Sequence, residues 1–218
     1  MGEVFFVRHG QASFGTDDYD KLSPLGWQQA RWLGQHFAEE GRRFDMMVSG
    51  GLRRHRETAE AMAEHLNIHD SNVLPGLDEL DYDHLQSDAF AAGVIPPPSG
   101  EEGAIAGELP LVMHGWEHGT FETSHESFAA FQGRVTDAVG DVYAEGRDVL
   151  IVSSGGPKAV MMRHVLGLGP RKMSEVLLSI YNSSYTRFLV RDGELKLSEF
   201  NAIPHLAGAD RAGARTYI

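Results

Sequence analysis

The sequence has no cysteine. Disulfides, a thiol nucleophile and cysteine-ligated zinc are excluded, and a reducing, cytoplasmic setting is the expectation. It also lacks an excess of positive charge: 19 Lys and Arg stand against 31 Asp and Glu, a formal net charge of −12. Such a surface repels nucleic acid and anionic membrane, so neither is expected as a partner. Any site for an anion must then be a local cluster of arginines. No apolar run reaches the roughly 18 residues of a membrane span. Met1-Gly2-Glu3 leads straight into a strand pattern without a basic segment or apolar h-region, so no secretory signal is expected. Without one, the Asn182-Ser183-Ser184 sequon is incidental.

What is present is a set of apolar runs that stop at polar or small residues. The first, Val4-Phe5-Phe6-Val7, does not alternate, so it reads as a strand buried on both faces. It runs into Arg8-His9-Gly10. An unpaired arginine in a core is very costly, so Arg8 must sit where the strand leaves the sheet. Open α/β sheets keep their ligand crevice at such carboxyl ends. An Arg-His pair there is a candidate anion site, and Gly10 is expected to let the backbone come close to the ligand.

The same theme recurs. Residues 11–20 read as a loop, then Ser23-Pro24 opens a helix as N-cap and first residue, and Gly41 closes it. Met46-Met47-Val48 is a second buried strand, followed by Ser49-Gly50-Gly51 and a helix from about Leu52. Three arginines, Arg53, Arg54 and Arg56, crowd its first turn, where the helix dipole disfavours cations. Either they form a solvated face paired with Glu57 and Glu60, or one points back to clamp an anion with its planar fork. Val73-Leu74 is a short strand leading to the acidic Leu77-Asp78-Glu79-Leu80-Asp81, where one acid near a phosphate could move a proton. Residues 93–123 are rich in Gly and Pro and read as a long loop capping the crevice. A helix capped by Thr123 or Ser124 is expected over 126–143. Asp148-Val149-Leu150-Ile151-Val152 is a third buried strand, and Ser153-Ser154-Gly155-Gly156 then opens a helix whose N-terminus suits phosphate. Helices follow at 160–166 and 173–178, and Asp192-Gly193 marks a hairpin. The last ten residues are expected to be loosely ordered.

Three of these strand ends together resemble the histidine phosphatase superfamily, the phosphoglycerate mutase-like family. Arg8-His9-Gly10 matches its signature. Residues 49–59 are similar to its block Ser-Ser-Pro-Leu-x-Arg-Ala-x-x-Thr-Ala, which singles out Arg54 as the clamp. Residues 77–81 match its acid/base segment through Glu79, Glu126-Ser127 its pair before the long helix, and residues 149–156 its last strand. The resemblance spans about residues 4–190. It implies a three-layer α/β/α sandwich in one domain, residues 1–218, with a mostly parallel central sheet, helices on both faces and a cap insertion over about 83–125.

The resemblance also implies a phosphatase that hydrolyses a small phosphorylated substrate through phosphohistidine on His9. Arg8 and Arg54 would neutralise the phosphoryl oxygens and Glu79 would protonate the leaving group. Gly10, Ser13, Ser154 and Gly155 would bind substrate. No metal or organic cofactor is implied, and the oligomeric state is left open. The family's last strand normally ends in Ser/Thr-His-Gly-Gly, and here the second histidine is Ser154, which carries no charge. A non-catalytic phosphate-binding relative or a mutase are the alternatives. Gly15 stands where the family often has Asn, and Ser13 is the expected substitute. His114, His118 and His125 are expected as surface histidines on the cap, with Gly115 and Gly119 arguing against a helix there.

Overall fold

The computed structural model describes residues 2–13, 19–97 and 104–217. Strand β1 (Gly2–Arg8) forms because its β-branched and aromatic residues fit a pleated surface buried on both faces. Val4 and Phe6 face one core, while Phe5 and Val7 face the other. Beside β1 lies β4 (Asp148–Ser153) in parallel, with Phe6 opposite Ile151 and Arg8 opposite Ser153. Next come β2 (Met46–Ser49) and the three-residue edge strand β3 (Ser71–Val73), also parallel. On the other side, β5 (Tyr185–Arg191) pairs antiparallel with β1, and β6 (Glu194–Ala202) antiparallel with β5. The order is β3-β2-β4-β1-β5-β6, and only β5 runs against the rest. The turn between β5 and β6 places Asp192 (φ 55°) and Gly193 (φ 74°) in the left-handed region, as an Asp-Gly hairpin requires.

Helices cover both faces. On the Phe5 side lie α1 (Pro24–Glu39) and α2 (Arg53–Ala63), which bury Leu33, Phe37 and Met62. Ser23 caps α1, its hydroxyl accepting the Gly26 N–H at 3.0 Å, and Gly41 ends the element at φ +68°. On the Phe6 side lie α5 (Phe128–Gly140) and α6 (Gly155–Leu166), with α7 (Pro170–Ser179) beside α6. Mostly parallel strands between two helical layers are the expected α/β/α architecture.

Three expectations need correction. The segment read as a long loop, 93–123, contains α4 (Ala104–His118), and α3 (Tyr82–Ala91) lies just before it. Leu109, Val112, Met113 and Trp116 are all buried, and their i, i+3, i+4, i+7 spacing is that of a helix. Pro110, Gly107 and Gly115 masked it. His114 and His118 therefore do lie on a helix, with rings stacked 4.2 Å apart. At Gly115 a β-carbon would come within 2.8 Å of the Phe121 ring, so glycine serves close packing there. Second, α5 is capped by Ser127, which accepts the Ala130 N–H at 3.2 Å, and not by Thr123 or Ser124. Third, the chain end is tied down. Thr216 donates its hydroxyl to Asn182 at 2.9 Å and accepts from Gln29 at 3.0 Å, and Tyr217 stacks on Tyr181 at 4.2 Å. Asn182 is 1% exposed, so its sequon is shut inside the fold. Among the described residues, no helix is long and apolar enough to cross a membrane.

Candidate functional site

A cavity of about 350 Å³ opens at the carboxyl end of β1, with Arg8, His9, Arg54 and Glu79 in its wall. His9 is 5% exposed, and its backbone N–H donates to Ser153 at 2.8 Å, locking it to the end of β4. Its Nδ1 lies 2.6 Å from the Gly10 carbonyl, which can only accept, so Nδ1 carries the hydrogen. The lone pair is then on Nε2, where Arg54 Nε–H donates to it at 3.2 Å. Burial, then the charges of Arg54 and Arg8, hold the imidazole well below its ordinary pKa. His9 is a neutral base with a defined tautomer beside two guanidiniums.

Arg54 comes from the first turn of α2 and is 8% exposed. Its terminal nitrogen pairs with Asp20 at 2.7 Å, and Asp20 also accepts the Arg53 N–H at 2.8 Å. Arg53 pairs outward with Glu57 at 2.6 Å. The arginine run thus divides into one buried clamp and an exposed ion pair. Arg8 donates to the Ile180 carbonyl, while its buried Nε–H has no partner among the described residues. Burial pulls its pKa down to about 10 against the opposing pull of Glu79, so it remains charged at neutral pH. Its backbone N–H donates at 3.0 Å to Ser184, whose carbonyl also accepts from Lys158 Nζ at 2.9 Å. Lys158 is fully buried, and desolvation, with Arg8 adding to it, holds its pKa well below the usual lysine value. The sequence reading passed over it inside a helix pattern.

Glu79 accepts the Gly156 N–H at 3.1 Å and the Leu80 N–H at 3.0 Å. A β-carbon on Gly156 would fall 2.0 Å from the carboxylate, so only glycine leaves it in place. Arg134 holds the same segment by donating to the Gly76 (3.0 Å) and Asp78 (2.7 Å) carbonyls while pairing with Glu126 at 2.8 Å. Glu126 is marked only by the resemblance, and Arg134, inside the following helix pattern, carries no signal of its own in the sequence.

The remaining predicted residues divide. Gly155 opens α6, and its added β-carbon would lie 3.8 Å from Arg8 Nε. Ser154 is fully buried, its hydroxyl 2.6 Å from His55 Nε2. The tight approach that requires glycine at position 10 is to α1: a β-carbon there would lie 2.3 Å from the Gly26 carbonyl. Ser13 is buried and its N–H donates to Lys21 at 2.8 Å, but it does not line the cavity. Gly15 lies outside the described residues. Over the cavity stand Tyr82 from α3, Ile105 and Leu109 from α4, Leu177 from α7 and Tyr217 from the chain end.

His114, His118 and His125 do not reach the cavity. His125 instead stacks on His84 at 4.0 Å, and together with Asp81 these present three ligand atoms within 4.8 Å, all exposed. The Asp81 carboxylate is engaged locally, capping α3 through the His84 N–H at 3.2 Å and binding His84 Nδ1 at 2.6 Å.

A buried imidazole, two arginines and a carboxylate thus line one cavity at the end of β1. A model of the histidine phosphatase superfamily (branch 1) matches residues 4–203, and the chain belongs to that family. Over 65 residues it is 35% identical to the mitochondrial serine/threonine-protein phosphatase PGAM5 of Xenopus laevis. That match covers 29% of this chain and 24% of the relative, about a quarter of its length. Solved structures share the fold. A phosphoserine phosphatase from Entamoeba histolytica, in complex with 3-phosphoglyceric acid, is 22% identical with a TM-score of 0.66, covering 94% of this chain and 100% of that one. Bacillus stearothermophilus YhfR is 20% identical with a TM-score of 0.69, over 94% and 99% of the chains. A mycobacterial glucosyl-3-phosphoglycerate phosphatase is 23% identical with a TM-score of 0.64, over 92% and 98%.

Proposed function

We propose that the protein is a phosphatase that hydrolyses a small phosphomonoester through a phosphohistidine on His9. One observation carries this reading: His9 is held as the tautomer with its lone pair on Nε2, where Arg54 donates to it, and it lines the cavity together with Arg8 and Arg54. In the first step the Nε2 lone pair attacks phosphorus, the bond to the leaving oxygen breaks, and Glu79 passes a proton to that oxygen. In the second, water attacks phosphorus, Glu79 takes up its proton, and the P–N bond breaks to restore His9. Arg8 and Arg54 are charged before substrate arrives, so stabilising the phosphoryl oxygens needs little rearrangement. The cap favours a small substrate over a protein surface, because Ile105, Leu109 and Leu177 roof the cavity. Ser154 stands where the family's second histidine is expected, which removes one cation from the pocket.

The test is hydrolysis of a generic aryl phosphate by wild type and His9→Ala, with acid-labile phosphoenzyme trapping. Wild type should turn over and label. His9→Ala should lose label and at least about 10⁴-fold in kcat, since removing a nucleophile disables the whole unit. A wild type no faster than His9→Ala, yet binding inorganic phosphate, would mean a phosphate-binding relative instead.

A further inference from the structure

Three departures from the family pattern meet at one place in the fold. Gly50 stands where the motif has Ser, His55 where it has Ala, and Ser154 where it has His. His55 sits in the first turn of α2, fully buried, with Nε2 2.6 Å from Ser154 Oγ, a contact between residues 99 apart in sequence. Its ring centroid is 5.7 Å from that of His9. Room for the imidazole comes from Gly50, where a β-carbon would lie 2.2 Å from His55 Nδ1. An imidazole gained on α2, a side chain lost at Gly50 and an imidazole lost at Ser154 amount to one exchange across the pocket.

We propose that His55 is the positioning residue for Ser154, and that the pair together fills the place of the missing histidine. In this arrangement His55 Nε2–H donates to Ser154 Oγ, so that serine's single hydrogen is turned toward the phosphoryl oxygen bound by Arg8 and Arg54. This rests on the phosphatase reading for its kinetic consequences.

The surroundings favour that tautomer. Nδ1 is buried without a hydrogen-bond partner, and the nearest carboxylate oxygen, Asp78 Oδ1, is 3.8 Å away. That oxygen already accepts the Gly51 and Leu52 N–H groups. A hydrogen on Nδ1 would be a buried donor with nothing in reach, whereas on Nε2 it has Ser154. Burial, then the Arg54 charge, keep the ring neutral. The order Asp78–His55–Ser154 resembles that of an activated serine nucleophile. In the tautomer argued here Nε2 already carries the hydrogen and cannot take up that of Ser154, however, so the serine is left to donate and not to attack.

The experiment is a double-mutant cycle on the full chain with an exchange arm. His55→Ala and Ser154→Ala should each lower kcat on an aryl phosphate by about 10²-fold, the usual cost of one preorganised donor. The double variant should be no worse than either single, because both remove the same hydrogen bond to phosphate. His55→Gln, whose amide can donate to Ser154, should recover activity, while the apolar His55→Leu should not. Ser154→His alone should be impaired by collision with His55, and His55→Ala/Ser154→His should regain most of the wild-type rate. Losses that multiply in the double variant, or a His55→Leu that changes only Tm, would overturn the proposal. Titration of inorganic phosphate by calorimetry runs alongside. If wild type binds phosphate but hydrolyses nothing, the phosphatase reading fails separately. The pair then stands if affinity is lost non-additively across the cycle, and falls if the losses add or are absent.

Discussion

The floor of the cavity and its roof are held in place by different means. At the floor, His9, Arg54 and Glu79 are each fixed by hydrogen bonds: the Gly10 and Ser153 carbonyls for His9, the Asp20 carboxylate for Arg54, the Gly156 and Leu80 N–H groups for Glu79. The roof is apolar packing. Ile105, Leu109 and Leu177 face the cavity from α4 and α7, and Trp116 anchors the far end of α4 by donating to the Glu126 carbonyl at 2.9 Å. Hydrogen bonds have direction and fix atoms, whereas apolar contact is tolerant of shape. Such a floor suits chemistry, and such a roof suits selection among substrates. Changes to the floor should therefore act on kcat, and changes to the roof on which substrate is preferred.

After the loss of His9, the largest effect should follow Arg54→Lys, which keeps the charge but loses the fork that meets both His9 and Asp20. A fall in kcat of about 10²–10³-fold is expected in steady-state assays. Its neighbour Arg53, half-exposed in its pair with Glu57, is the internal control. Arg53→Ala should leave kcat close to wild type, as exposed pairs contribute about 0–1 kcal/mol. Equal losses at both positions would erase the division of this helix turn into clamp and surface.

Next in size is Glu79→Gln, expected to cost about 10²-fold or more on an alkyl phosphate, whose leaving oxygen needs a proton. On an aryl phosphate with a good leaving group, phosphoenzyme formation should suffer far less. A loss independent of leaving group would reduce Glu79 to an anchor for α6.

The floor was legible because its residues lie at the ends of buried strands, where an Arg-His-Gly or Ser-Gly-Gly interrupts an apolar run. His55 was not. It sits inside a basic run, and its meaning depends on Ser154, 99 positions away. The roof was unread for another reason. Its periodic residues Leu109, Val112, Met113 and Trp116 are interleaved with Pro110 and Gly115, residues that ordinarily end helices, and packing against α7 and α5 overrides that local preference. The chain end was misjudged because Gln29, Asn182 and Thr216 hold it by polar contacts that leave no apolar pattern.

The two regions also differ in their histidines. His9, His55 and His205 are buried in the body of the fold, whereas His84, His114, His118 and His125 on and beside the cap are exposed. Burial, followed by neighbouring cations, lowers all three buried pKa values, that of His205 to about 3. The unfolded chain takes up protons near pH 6.5 while the folded one does not, so stability is full above that pH and declines as pH falls below it. Each buried histidine adds up to about 1.4 kcal/mol per pH unit. Urea unfolding at pH 7.5 and 5.5, above most carboxylate titration, should show the decline. His205→Gln should flatten it.

The smallest effect, and the one that most sharpens the contrast, is expected from Ile105→Ala. Ile105 is only partly buried, and it faces the cavity from the first turn of α4. Removing its branched end takes apolar surface from the roof without touching the polar floor. Apolar pockets discriminate by about 1–3 kcal/mol per methylene-sized change, so ratios of kcat/KM between bulky and compact phosphomonoesters should shift by about 10-fold. On a compact aryl phosphate, kcat should stay within about 3-fold of wild type, because His9, Arg8, Arg54 and Glu79 keep their partners. If kcat fell instead and selectivity did not move, α4 would belong to the positioning of the chemistry. The separation between a hydrogen-bonded floor and an apolar roof would then be lost.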